Sequence, residues 1–190
     1  MAAGGEERNQ FRAGLWAKPW KSQALYASPE TTGFALRAVL PTPAFAGKLT
    51  TALAPGFHGR IDRTHTVTVA MHSGELASVS RAQLLNGANA AAVRSVSGAW
   101  EIVQFENADE IAPSLWKLTG VLRGQLGTDD AMLAGAATGA DFVVLDEAVR
   151  PAGLRDSETG LALIWRAGPT GQEFSATTFA QQTVTGGLRA

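Results

Sequence analysis

The chain has no cysteine among its 190 residues, so neither a disulfide framework nor a thiolate metal site can hold it together. That suits a protein made in the cytosol, and an assembled particle released from a cell would need no thiols either. Net charge is nearly absent too: 16 Lys and Arg stand against 17 Asp and Glu, scattered along the chain. A nucleic-acid partner calls for a basic stripe that neutralises phosphates, and none is visible. No apolar run approaches the ~20 residues of a membrane-spanning helix. The opening Met1-Ala2-Ala3-Gly4-Gly5-Glu6-Glu7-Arg8 is polar and lacks the apolar core of a signal peptide. The expectation is a soluble chain, made in the cytoplasm without a signal peptide, with no nucleic-acid partner and no membrane span.

What is present is enough for a core: 45% of the residues are hydrophobic, and the length allows one large domain or two small ones. Residues 1–20 read as a flexible linker arriving from an upstream domain, with Trp16 and Trp20 bracketing Lys18-Pro19 as anchors. Strand-like segments begin at Ala24–Ala27 and Gly33–Leu40, and Pro41 and Pro43 then break the pattern. Between Thr64 and His72, Val67, Val69 and Met71 share one face while Thr66, Thr68 and His72 share the other, the alternation of a half-buried strand. Leu76–Val79 extends the sheet. Ser80 caps a short helix that stops at Asn86-Gly87, and apolar Ala88–Val93 packs near it.

Two strong strands follow, Trp100–Glu106 and Leu115–Leu122, joined by a long acidic connection from Asn107 to Pro113. Arg123-Gly124-Gln125-Leu126-Gly127-Thr128 breaks the sheet, and Thr128 begins a capped helical turn over Asp129 to Leu133. Asp141–Asp146, Leu161–Arg166 and Phe174–Thr185 supply the last strands. The prediction is a mainly β protein, an antiparallel β-sandwich or barrel of short strands with one or two short helices.

Chemistry is harder to find. His58, His65 and His72 show no metal-ligand spacing, so they read as surface histidines. Gly124 and Gly127 suggest a tight turn; the spacing and Lys of a phosphate-binding P-loop are missing. The acids Glu101, Glu106, Asp109, Glu110, Asp129, Asp130, Asp141 and Asp146 read as turn and helix-end residues, with Asp129 and Asp130 favoured by a helix dipole. No nucleophile elbow or Ser/His/Asp pattern stands out. The chain reads as no enzyme, with no catalytic residue, metal or cofactor. Trp100, Trp116 and Trp165 lie in strands and read as core or inter-domain contacts. Trp16, Trp20 and Arg123 are left as the glycan or partner contacts, although pairing of Arg123 with an acid or a carbonyl is the blander reading.

The segment Trp100-Glu101-Ile102-Val103-Gln104-Phe105, then Glu110-Ile111-Ala112-Pro113, then Trp116 through Thr128 resembles one family. It is similar to the C-terminal part of the large baseplate, or tail-tip, protein of gene transfer agents and related siphophage-like tails, also called megatron or host-specificity protein. Glu75–Ser80, Leu84–Ala91, Ala140–Asp146, Pro19-Trp20 and Ala24–Tyr26 resemble the same family, so the likeness spans roughly residues 18–150. It implies a longer parent protein with a TIM-barrel-like domain upstream. It also implies a place at the tail tip of a phage-like particle.

On this reading residues 21–150 form a β-rich tail-tip domain. Residues 151–190 add C-terminal strands, either to that domain or leading into a following one. The function implied is structural and recognition work in a tail baseplate, in assembly and host-cell attachment. Other baseplate and tail proteins, upstream domains of the same polypeptide and host surface polysaccharide are the implied partners. The first alternative is a carbohydrate-binding module using some of the five tryptophans. The second is a cell-wall hydrolase, which needs two carboxyls ~5–9 Å apart across a cleft.

Overall fold

The computed structural model describes residues 11–174 and 179–186. It is mainly β with two short helices, as the alternation predicts. The strands are β1 (Arg12–Ala13), β2 (Gln23–Ser28), β3 (Ala35–Leu40), β4 (Ala46–Leu49), β5 (Val67–Met71), β6 (Ala90–Arg94), β7 (Trp100–Ala112), β8 (Leu115–Gln125), β9 (Asp141–Val144), β10 (Arg150–Pro151), β11 (Ala162–Pro169) and β12 (Ala180–Thr185). The helices are α1 (Arg81–Leu85) and α2 (Asp129–Ala134). Two compact units result, one from Ala44–Asp146 and one from the described residues on either side of it.

The inner unit is a closed barrel in the order β4-β5-β8-β7-β6-β9, every pair antiparallel, with β9 returning to β4. Closure removes the open edges that invite a sheet to pair with another chain. Alternation fills the interior: Val67, Val69 and Met71 are buried while Thr68 and Ala70 are not. Leu49, Val93, Val103, Phe105, Leu118 and Phe142 complete the packed centre. Each such side chain contributes about 1.5–3 kcal/mol by leaving water.

The β7–β8 hairpin departs from expectation. Instead of a long acidic connection from Asn107, β7 runs on to Ala112 and turns at Pro113-Ser114, with Ser114 at φ 60°. The acids are tolerated because this stretch is exposed. Asp109 lies opposite Lys117, and the Glu110 carboxylate accepts the Ser114 N–H at 2.8 Å. Midway, the inward face changes, since both Leu118 and Val121 reach the core. Gly120 absorbs the odd spacing at φ +65°, and a Cβ there would lie 2.8 Å from the Cβ of Glu106.

Helix α1 forms as its caps predict. The Ser80 hydroxyl accepts the Gln83 N–H, the Gln83 side chain returns to the Ser80 N–H, and Asn86 ends the helix. Leu76–Val79 is not a strand: Leu76 is buried, but among backbone bonds the stretch keeps only Val79 N–H to Glu106 at 2.8 Å. The apolar run after α1 is β6, pairing with both β7 and β9.

The other unit is a four-stranded antiparallel sheet in the order β12-β11-β2-β3. Its core face carries Leu25, Ala27, Leu40, Leu163 and Trp165, and Leu154 from the segment after β10 packs with them. Residues 21–43 therefore belong with the C-terminal strands and not in one block with residues 44–150, because β2 pairs with β11, with Ala27 opposite Trp165. Part of the expected linker is also ordered: β1 pairs with β10, and Arg12 donates to the Val149 carbonyl at 3.2 Å. Residues 1–10 of that linker lie outside the described residues, as do 175–178 of the last expected strand region. No helix among the described residues is long and apolar enough to cross a membrane.

Candidate functional site

The glycine signature sits where β8 leaves the barrel, and Arg123 points inward. Its guanidinium clasps the Glu101 carboxylate from two sides, Nε to Oε1 at 2.6 Å and Nη2 to Oε2 at 2.9 Å. Both side chains are 1% exposed. The third guanidinium nitrogen donates to the Ala54 carbonyl at 3.1 Å, and the Gly124 N–H gives Glu101 another bond at 3.1 Å. A buried charge is tolerable only with such a complete set of partners. Arg123 is thus no surface contact for a glycan or partner: the acid-and-carbonyl reading is the one the fold realises.

The rest of the signature serves the same junction. Gly124 leaves room for α2, since a Cβ there would come 2.9 Å from the Asp129 carboxylate. The Gln125 side chain donates back to the Arg123 carbonyl at 2.9 Å. Thr128 does not cap α2 with its side chain. Its hydroxyl instead donates to Gln125 O at 2.8 Å and accepts the Ile102 N–H at 2.9 Å, tying the signature to β7. Leu126, at φ 54°, turns the chain with its side chain 77% exposed.

Sequence reasoning missed the segment that covers this junction. Gly56 passes over Arg123 so closely that a Cβ would meet its Nη1 at 2.9 Å. Asp62 then exchanges two backbone bonds with Val121, at 2.7 and 2.9 Å. The buried Asp62 carboxylate accepts from the Thr64 hydroxyl and amide and from the His65 amide and ring. Burial pushes its pKa up, but these bonds outweigh burial and hold it well below the ordinary carboxylate range. The residue pattern Asp-x-Thr-His was the available signal, an Asx turn that fixes the chain before β5.

The remaining candidates disperse. His58 pairs with Asp129 at 2.7 Å and His65 with Asp62 at 2.7 Å. Among the acids, Glu106 faces Arg63 at 2.8 Å, and Asp141 faces Lys48 at 2.6 Å. Trp116 and Trp165 are buried, but Trp100 is 38% exposed, because the barrel interior at that end takes its neighbour Glu101 instead. Trp20 donates its indole N–H to the Pro41 carbonyl at 3.1 Å. Trp16, 40% exposed, lines an open cavity of about 260 Å³ in the four-stranded unit, with Lys21 and Gln23 on its polar side.

A family model described as Rcc01698-like, C-terminal matches residues 44–143. That range is the barrel unit, Ala44–Asp146, short of its last three residues. No curated protein matches the chain. The match covers just over half of the sequence, and the chain belongs to the Rcc01698-like C-terminal family.

Proposed function

With that membership as the premise, we propose that the chain is a structural and recognition domain of a phage-like tail baseplate protein. It acts at the distal tail tip, in assembly and in attachment to the host cell. The observation that carries this reading is the use made of the Trp100–Met132 block, which resembles the gene transfer agent baseplate protein. Its Arg123–Glu101 pair, the Gly124 amide and the Thr128 hydroxyl are engaged in joining β7 and β8 ahead of α2. A part whose most distinctive residues hold a shape suits a scaffold contacting other tail proteins and upstream domains. Electron microscopy of particles carrying a tag on this chain tests the reading: density at the distal tail is expected, and density anywhere else overturns it.

Carbohydrate binding is the second reading, and the Trp16 cavity favours it. An indole beside Lys21 and Gln23 offers an apolar platform next to polar groups, as sugar recognition requires. Titration of the full chain with capsule and lipopolysaccharide saccharides checks it. Loss of binding in Trp16→Ala is the expected result; unchanged binding refutes the assignment.

A further inference from the structure

The barrel unit carries an opening of its own. A cavity of about 330 Å³ lies between Arg94, Ser95 and Val96, at the end of β6, and the loop from Ala137 to Asp141 that enters β9. Arg94 and Trp100 are direct cross-strand partners. Both face away from the core, since Val93 and Glu101 take the inward positions. The Arg94 guanidinium stands 6.0 Å from the centre of the Trp100 ring, which is 38% exposed.

The charges at this opening do not cancel. Asp141 is held by Lys48 at 2.6 Å, so that pair is neutral. The Ser95 hydroxyl is spent on Ser97 and the Ala99 carbonyl. Arg94 has no carboxylate among the described residues, and its side chain is half-buried against the indole. One positive charge is therefore left over at the mouth. Thr138, exposed on the facing loop, adds a hydroxyl. Guanidinium groups bind carboxylates through two parallel N–H donors, and an exposed indole offers a flat apolar face beside them. Pockets for small ligands start near ~300 Å³, and this open one stands at the small end of that range.

We propose that the Arg94–Trp100 corner is a binding site for an acidic sugar. The carboxylate of a hexuronate-type residue is held by Arg94, and the sugar reaches from the Trp100 indole, beside Arg94 and just outside the cavity's lining residues, to the Ala137–Asp141 loop. This rests on the carbohydrate reading only for its ligand class; it uses a different unit and different residues from the Trp16 cavity. The selectivity follows from the uncancelled charge: an acidic oligosaccharide gains a charge-assisted bond that its neutral counterpart lacks.

The test is titration of the full chain with galacturonate di- and trisaccharides, neutral galactose oligomers and inorganic phosphate, read by NMR shifts of the Trp100 indole and Arg94 side-chain signals. Binding of the galacturonates about tenfold tighter than the neutral sugars is expected. Arg94→Gln should abolish that preference, Arg94→Lys should keep part of it, and Trp100→Ala should weaken all the sugars alike. Unperturbed backbone spectra of the variants establish that they fold. Equal affinity for neutral sugars, equal competition by phosphate, or binding that survives Arg94→Gln would each overturn the proposal. Binding lost in Trp16→Ala but kept in Arg94→Gln would do so while leaving the carbohydrate reading intact.

Discussion

Replacing Arg123 by Met removes the cation from a carboxylate that water cannot reach. Glu101 then keeps one described partner, the Gly124 N–H at 3.1 Å, and loses the bonds at 2.6 and 2.9 Å. The Ala54 carbonyl loses its donor as well. Removing one member of a buried pair costs about 3–5 kcal/mol, most of it the stranded charge. Pairing Arg123→Met with Glu101→Leu takes that charge away but leaves the buried Gly124 amide unsatisfied, at about 1–3 kcal/mol for such a group. The double variant should therefore be more stable than Arg123→Met alone by about 2 kcal/mol. Amide exchange at Val103 and Phe105 reports barrel opening separately from the four-stranded sheet. A loss of 3 kcal/mol appears there as roughly hundredfold faster exchange. A single variant costing under ~1 kcal/mol, or a double variant no better than the worse single, would refute the assignment of Arg123 as a buried brace.

Three further changes probe the geometry. Gly120→Ala forces a Cβ against Glu106 at a left-handed φ and should cost about 2 kcal/mol by urea denaturation; a neutral result would mean the hairpin does not cross faces there. Leu126→Asn relieves an exposed leucine held at φ 54° and should stabilise the barrel by about 0.5–1 kcal/mol, with a destabilised variant counting against the strained turn. Asp62→Asn should destabilise the chain at neutral pH, because the folded pKa of Asp62 is depressed below its unfolded value of about 3.9. That contribution is fully present above the unfolded pKa and is lost as pH falls through the folded one. The gap between variant and parent should hold above ~pH 5 and narrow below ~pH 4; a gap independent of pH would sink the account.

Local features were legible in the sequence, and choices of distant partner were not. The β5 alternation and the Ser80–Gln83 capping box depend on neighbours within a few residues, so pattern alone finds them. The hairpin turn was misplaced because acids at Asp109 and Glu110 look like loop, whereas an exposed strand opposite Lys117 accepts them. Thr128 resembles a cap, but Ile102 claims its hydroxyl from 26 positions away. Trp100 looks like core until Glu101 is seen to take the interior beside Arg123. Arg123 itself could be given a partner type from sequence, an acid or a carbonyl; naming Glu101 and Ala54 required the closed barrel. Nothing short-range distinguishes a β2 that pairs with β11 from one that joins the barrel, which is why the unit boundary at Pro43 escaped notice.

The split sheet has a consequence for how the chain is made. A ribosome delivers β2 and β3 first, yet β11, their neighbour across the sheet, follows only after the whole barrel has emerged. Domains fold as units as they leave the ribosome, so the barrel, complete by Asp146, can close while that early hairpin still lacks its partner. The barrel's entry and exit strands pair with one another, Ala46 opposite Val143, and its closure holds positions about a hundred residues apart in sequence side by side. Barrel folding thus shortens the search that β11 must make for β2. A damaged barrel would lengthen the time that hairpin spends unpaired during synthesis, and its cost would appear as aggregation of the nascent chain before it appeared as lost stability.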